Sequence, residues 1–412
     1  MLPHARNSKA QPVFARAAAL FLSAALAATA HGYTFNYVVP DMRLSAAQSG
    51  GSACPVPLHV LTTAGAVSRR WSTALGATPV TILTADQTPA GRLNEIESTV
   101  LESFAVWTGV SGTTLAPASL APLARSSTQN ACTADGLNSI CFDQSDAAFT
   151  PGVLAFTRVF SADHIGAQIG AGPAATEIGQ ILDADIYFNP GDSRTRFATP
   201  AALASQPSAY DLESVLTHEL GHVFGFSHSA VWSAMLFPFA PAPGSYTGAR
   251  PRLQQPDAPL SDDDRTGLRV LYPDPADTVH MGEISGKIVP ANPLSLPEAL
   301  GGVSGIYGAH VVTLDATTGA VIAGALAGWS CSGAGPAQFD GSYRIARLPV
   351  GASSNYKLYA EPLTGPADPS TVANATATVC RNVSSDPGWP APSSCVVPFV
   401  TTNFTTRIRG TP

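Results

Sequence analysis

The stretch Leu216–Leu236, LTHELGHVFGFSHSAVWSAML, holds three of the nine histidines of the chain, all between positions 218 and 228. On a helix, residues four apart lie one turn apart on the same face, so His218 and His222 project their imidazoles toward one point. That arrangement suits zinc, which takes imidazole nitrogens at ~2.0–2.1 Å in a tetrahedral shell. Gly225 can adopt the positive φ that ends a helix and turns the chain back. His228 then becomes a third ligand, and the fourth corner is left for water. Glu219, beside the first ligand, is placed to take a proton from that water. Together these groups are equipment for hydrolysing a peptide bond. Two other readings compete: a helix whose histidines face solvent or pair with acids, and a zinc-bearing adhesion or protein-binding module that is catalytically inactive.

The flanking sequence predicts the elements that would frame such a site. Ser208 with Asp211 reads as a capping box opening the helix, and Leu212, Val215, Leu216 and Val223 form its apolar stripe. In LSDDDRTGLRVLYP (Leu260–Pro273), Ser261 and Asp264 form a second capping box, Leu268 and Leu271 point inward, and Pro273 stops the run. An earlier helix, RLNEIESTVLESFAVWTGV (Arg92–Val110), carries Leu93, Ile96, Val100, Leu101, Phe104 and Trp107 on one face. TPVTILTA (Thr78–Ala85), SICFDQ (Ser139–Gln144), VLAFTRVF (Val153–Phe160) and ILDADIYFN (Ile181–Asn189) read as strands. From about residue 274 the texture changes. PDPADT reads as a linker. GEISGKIV, GAHVVTLDATTGAVIAG, FDGSYRIARLPVG and YKLYAEPL then alternate between short turns, the pattern of a small antiparallel β-sandwich over 280–363. Residues 364–412 form a Ser/Thr/Pro-rich tail with two cysteines.

The chain has 412 residues, which suggests two or three domains. Its 45% hydrophobic content is enough for sizeable cores, while 36 glycines and 35 prolines favour turns and β structure. A net charge of −7 gives no reason to expect nucleic acid or an anionic membrane as partner. Arg6, Lys9 and Arg16 precede the apolar run Ala17–Ala30, AAALFLSAALAATA. That pattern predicts a signal peptide over 1–30, with a membrane anchor as the competing reading. The run falls short of the ~20 residues a span needs. The expected location is secreted or extracytoplasmic, a periplasm included. Residues 31–70 form an irregular N-terminal segment. Six cysteines in an exported chain suggest disulfides. Cys132 and Cys141 are close enough to close a local loop, Cys331 could reach Cys380 or Cys395, and Cys54 has no evident partner.

The run His218-Glu219-Leu220-Gly221-His222-Val223-Phe224-Gly225-Phe226-Ser227-His228 resembles the metzincin metalloproteases. Met235, seven residues after His228, is similar to their methionine turn. Ser229, the Leu260–Pro273 segment, WTGVSGTTL and DADIYFN resemble the matrixin branch, and the resemblance covers about residues 71–274. It implies an α+β zincin fold, with a twisted mixed sheet of about five strands, mostly parallel, and the active-site helix behind it. It also implies a cleft along the edge strand, to which an extended polypeptide substrate adds. His218, His222 and His228 would hold one catalytic zinc, Glu219 would act as general base and acid, and Met235 would floor the site. Asp263 and Asp264 match the acidic pair that braces the methionine turn and the mature N-terminus; a capped, solvated helix start is the alternative.

Three departures from the matrixin pattern stand out. Cys54 lacks the P-R-C-G-x-P-D setting of a zinc-capping propeptide cysteine, and a disulfide is its other reading. His164 stands alone and Asp185 sits where a second zinc would want a histidine, so one zinc is expected. MLFP holds one more residue before its proline than the usual turn. Calcium follows from the resemblance alone, with Asp183 or Asp185 as oxygen ligands or simply as polar strand residues. The C-terminal strands are similar to carboxypeptidase-regulatory-like sandwiches, a likeness compatible with binding or with stabilisation.

Overall fold

The strand signals between positions 78 and 189 condense into one sheet that carries the histidine helix. The computed structural model describes residues 37–38, 67–72, 82–84, 93–115, 132–142, 149, 152–189, 197–231, 234–240, 243–244, 260–289, 309–327, 341–351, 354–362 and 399–405. Its elements are, in chain order, β1 (Tyr37–Val38), β2 (Val67–Ser68), β3 (Ile82–Thr84), α1 (Leu93–Thr108), β4 (Asn138–Cys141), β5 (Val153–Ser161), β6 (Ile181–Phe188), β7 (Phe197–Ala198), α2 (Pro200–Leu203), β8 (Tyr210–Asp211), α3 (Leu212–Val223) and α4 (Asp262–Leu271). There follow β9 (Gly282–Lys287), β10 (Ala309–Asp315), β11 (Val321–Leu326), β12 (Ser342–Leu348), β13 (Tyr356–Pro362) and β14 (Phe399–Thr405).

The main sheet runs β14-β5-β6-β4-β3. β3, β4 and β6 are parallel, while β5 pairs antiparallel with β6 and β14 antiparallel with β5. Every residue of β6 is buried, as expected of a strand covered on both faces. The sheet is therefore mixed and five-stranded among the described residues. It is evenly divided between parallel and antiparallel pairs rather than mostly parallel. Its fifth strand comes from the C-terminal tail and lies along β5.

Helix α1 packs on α3. Ile96, Val100, Phe104 and Trp107 are buried, but Leu101 is 47% exposed. At about 100° per residue, Leu101 lies a quarter-turn off the stripe that Ile96, Val100, Phe104 and Trp107 define, so including it in the buried face was an error of angle. Trp107 donates from Nε1 to the Thr217 carbonyl at 2.8 Å and packs against Phe224 and Phe226. A Cβ on Gly221 would stand 2.5 Å from Leu236 and 2.9 Å from Trp107, so this glycine permits the close approach of the two helices.

Helix α3 starts later than the Ser208 cap predicts. Asp211 is itself the N-cap and accepts from the Ser214 amide at 3.0 Å. The carboxylate thus serves three residues downstream instead of answering a serine three residues upstream. Helix α4 opens as expected, with Ser261 and Asp264 forming a reciprocal capping box. Leu268 and Leu271 are buried.

After α4, strands β11-β10-β13 form a three-stranded antiparallel sheet and β12-β9 a two-stranded one. β11 and β12 pack on α4, and Ala323, Ala325, Ile345 and Leu348 share one buried cluster with Leu268 and Leu271. The stretch read as a linker is fastened too, since the Asp274 amide donates to the Gly112 carbonyl at 3.1 Å. Cys132 and Cys141 form a disulfide. Cys54, Cys331, Cys380, Cys395 and the apolar run Ala17–Ala30 lie outside the described residues. Among the described residues no helix is long and apolar enough to cross a membrane.

Candidate active site

The turn after α3 does what the histidine spacing requires. Gly225 takes φ +102°, the Phe226 amide reaches back to the Gly221 carbonyl at 3.0 Å, and the Gly225 amide to the His222 carbonyl at 2.9 Å. These two bonds are those of a Schellman motif, which reverses the chain at a left-handed residue. The reversal brings His228 back over the helix. Ring centroids of His218, His222 and His228 are then 4.7, 4.9 and 5.4 Å apart, and one nitrogen from each lies within 4.8 Å of the others. All three rings are buried.

Carbonyls fix two of the rings. Nδ1 of His218 donates to the Met235 carbonyl at 2.7 Å, and Nδ1 of His222 to the Phe226 carbonyl at 3.0 Å. A carbonyl only accepts, so each Nδ1 carries the proton and each Nε2 presents a lone pair. Those two Nε2 atoms face each other at 3.1 Å. Burial first, then the neighbouring imidazoles, hold both histidines well below the usual pKa, so neither gains a proton to bridge the gap. Two facing lone pairs want a cation. Ligand nitrogens in a tetrahedral zinc shell stand about 3.4 Å apart, given bonds of about 2.05 Å, so the donor set fits that ion.

Glu219 is fully buried beside the cluster. Thr157 on β5 donates its hydroxyl to Glu219 Oε2 at 2.6 Å, while Oε1 has no hydrogen-bond partner. Burial, opposed by that hydroxyl, pushes the carboxyl up to about 8. Thr157 was not among the residues singled out in the sequence, and with the partners 62 positions apart no local pattern could have identified it.

Met235, whose carbonyl accepts from His218 Nδ1, is completely buried. Its amide donates to Asp264 Oδ2 at 2.7 Å, and the Leu236 amide to Asp264 Oδ1 at 3.3 Å. The same carboxylate takes the Ser261 amide and hydroxyl. Asp263 accepts from the Ser229 hydroxyl at 2.6 Å. Both acids therefore face the methionine turn and are buried, which excludes the solvated alternative.

Other candidate residues stay apart. His164 lies 2.7 Å from Asp163 and, among the described residues, is not in the metal-spaced cluster of His218, His222 and His228. Asp183 accepts from the Asp135 and Gly136 amides, and Asp185 from the Ser139 amide. Among the described residues, the three histidines are the one group of three or more His, Cys, Asp or Glu side chains with metal-binding spacing.

Comparison with known proteins agrees with this geometry. Residues 162–273 match the family model described as Matrixin. "Metalloendoproteinase 1" of Glycine max is 34% identical over 110 residues, 27% of this chain and 30% of that protein. "Metalloendoproteinase 1-MMP" of Arabidopsis thaliana is 34% identical over 99 residues, 21% of this chain and 24% of that protein. The chain thus spans under a third of these relatives' length, and the three histidines fall within the stretch that matches the matrixin model. Residues 162–273 are thus similar to a matrixin catalytic segment.

Proposed function

We propose that the protein is an exported zinc-dependent endopeptidase. The observation that carries this reading is the convergence of three buried imidazoles, with a buried glutamate next to the first of them in the helix and one of its oxygens without a hydrogen-bond partner. His218, His222 and His228 would hold the ion. Bound there, zinc acidifies water and polarises a scissile carbonyl. The remaining work belongs to the chain. Glu219 accepts the proton of the attacking water at Oε1 while Thr157 holds Oε2 still. The same carboxyl then protonates the departing amine, so the C–N bond breaks without releasing an amide anion. The bonds from Nδ1 to Met235 and Phe226 keep the ring planes aimed at the ion, and the buried Met235 closes the space beneath.

The substrate is a polypeptide, bound extended along β5, whose Thr157 touches the general base. β14 pairs with that edge, so an incoming peptide takes its place. The positively charged, apolar N-terminus supports export, and sequencing the mature protein is expected to start near residue 31.

The test uses the full chain. About one zinc per molecule and chelator-sensitive cleavage of casein are expected. Glu219→Gln is expected to keep its zinc and lose roughly 10²–10⁴-fold in kcat. A folded, zinc-loaded parent that cleaves nothing identifies a binding module instead, and full activity in Glu219→Gln removes the base from its role.

A further inference from the structure

The sheets that follow α4 reach into the metal centre through one backbone amide. Gly324, on β11, donates its N–H to Asp263 Oδ1 at 2.8 Å. Asp263 is 1% exposed, and its other oxygen, Oδ2, accepts from the Ser229 hydroxyl at 2.6 Å. Ser229 Oγ in turn accepts from the Val231 amide at 3.0 Å, and the Ser229 amide donates to the Leu236 carbonyl at 2.8 Å. His228 is the residue immediately before Ser229. A continuous chain of hydrogen bonds and one peptide unit therefore links β11 to the third histidine.

The geometry of β11 fits this use. β11 is one of the two edge strands of its three-stranded sheet among the described residues. The Ala327 amide donates to the Ala309 carbonyl across the β10 ladder, so by alternation the amides of residues 325 and 323 face β10 and that of Gly324 faces outward. The outward amide meets the carboxylate of the helix on which β11 packs.

We infer that the Gly324 amide, acting through Asp263 and Ser229, positions His228, so that the C-terminal sheets are a working part of the metal centre. Gly324, Asp263 and Ser229 are positioning residues on this view, and the inference rests on the zinc-binding reading above. A carboxylate held from two sides presents Ser229, the residue after His228, in one rotamer. With the amide gone, the carboxylate can rotate, and the third ligand loses its fixed approach. Outer partners of metal ligands typically shift metal affinity by 10- to 100-fold.

The experiment is zinc release from the full chain into a chromophoric chelator, a measurement independent of peptide cleavage. Zinc content of the parent is determined first; a parent that binds none defeats both the proposed function and this inference. Gly324→Pro removes the outward amide without breaking the β10 ladder. It is expected to release zinc roughly tenfold faster, with the circular dichroism of the parent and with kcat lowered more than KM is raised. In an Asp263→Ala background the same proline is expected to change nothing further, since the path is already cut. Asp315→Ala, which loosens the turn after β10 without touching Asp263, serves as a control and should release zinc like the parent.

Should Gly324→Pro fail to fold, hydrogen exchange on the parent carries the test. Coupling is reciprocal, so removing zinc should speed exchange at β11 and leave β9 unchanged. A folded Gly324→Pro with parental release, an equal effect of proline with and without Asp263, or exchange at β11 indifferent to zinc would each overturn the inference.

Discussion

Gly225→Ala is the sharpest probe of the bend on which the site depends. Two independent penalties follow from the structure. The first is conformational. At φ +102° an alanine occupies a region that L side chains avoid, at roughly 1–2 kcal/mol or more. The second is steric. The new Cβ would lie 2.9 Å from the carbonyl carbon of Arg69 and closer still to its oxygen, and no rotamer of alanine relieves it. The backbone at Arg69 must retreat, which strains the bonds that Arg70 makes to Gly179 and Ile181, at about 1 kcal/mol each. The total is on the order of 3–5 kcal/mol. A domain of about 200 residues loses roughly 2–4 °C per kcal/mol, so Tm should fall by roughly 6–20 °C. Because Phe226 holds the His222 ring and the bend returns His228, zinc content should fall with it. Calorimetry with metal analysis reads both. A Gly225→Ala protein that melts within a degree or two of the parent and keeps its zinc refutes the reasoning.

Three further outcomes are expected. Thr157→Val removes a hydrogen bond to a charged group, worth about 1.5–3 kcal/mol, so kcat should fall roughly 10- to 100-fold with zinc content unchanged; a parental kcat means Glu219 needs no such support. Asp183, buried beside Asp185, has its pKa raised to about 7, so the folded state favours the neutral acid. The stabilisation is then fully present below the unfolded value near 4 and is lost as pH rises through about 7. Tm measured across pH 4–8 should decline from this pair, less so in Asp183→Asn, and identical slopes in the two proteins contradict that origin. Prolines at Thr401 and Thr402 together remove an amide from the β5–β14 ladder whichever of the two faces β5. KM for an extended peptide should drop at constant kcat, whereas an unchanged KM places the substrate elsewhere.

The histidine cluster was legible because its information is local. Ligand spacings of four and six residues, a glycine between them and a methionine a few residues on are all visible in one 21-residue stretch. The strands were legible for the same reason, as alternation within eight or nine residues. Errors arose where two local explanations overlapped. Ser208 and Asp211 satisfied a capping pattern, but Asp211 could also cap for itself, and the three-residue offset to Ser214 decided the matter. Leu101 lay next to a true stripe, and only the packing of α1 on α3 separates a neighbour of the stripe from a member.

What could not be read is what crosses between elements. Thr157 supports Glu219 from 62 residues away, and Gly324 reaches Asp263 from 61 residues away. The first contact needs a specific register of β5 on β6; the second uses a backbone amide, which every residue except proline possesses and which therefore leaves no trace in composition. Asp263 illustrates the asymmetry. Its identity suggested a brace or a solvated cap with equal force, and burial alone distinguishes them, because a carboxylate at 1% exposure must be satisfied by donors from its neighbours. One of those donors belongs to the C-terminal sheets, so the boundary near residue 274, so plain in texture, is crossed by a polar contact at the heart of the site. Texture reports where the chain changes its local habits. The surroundings of the histidine cluster are governed by which buried polar groups find partners, and those partners lie on both sides of that boundary.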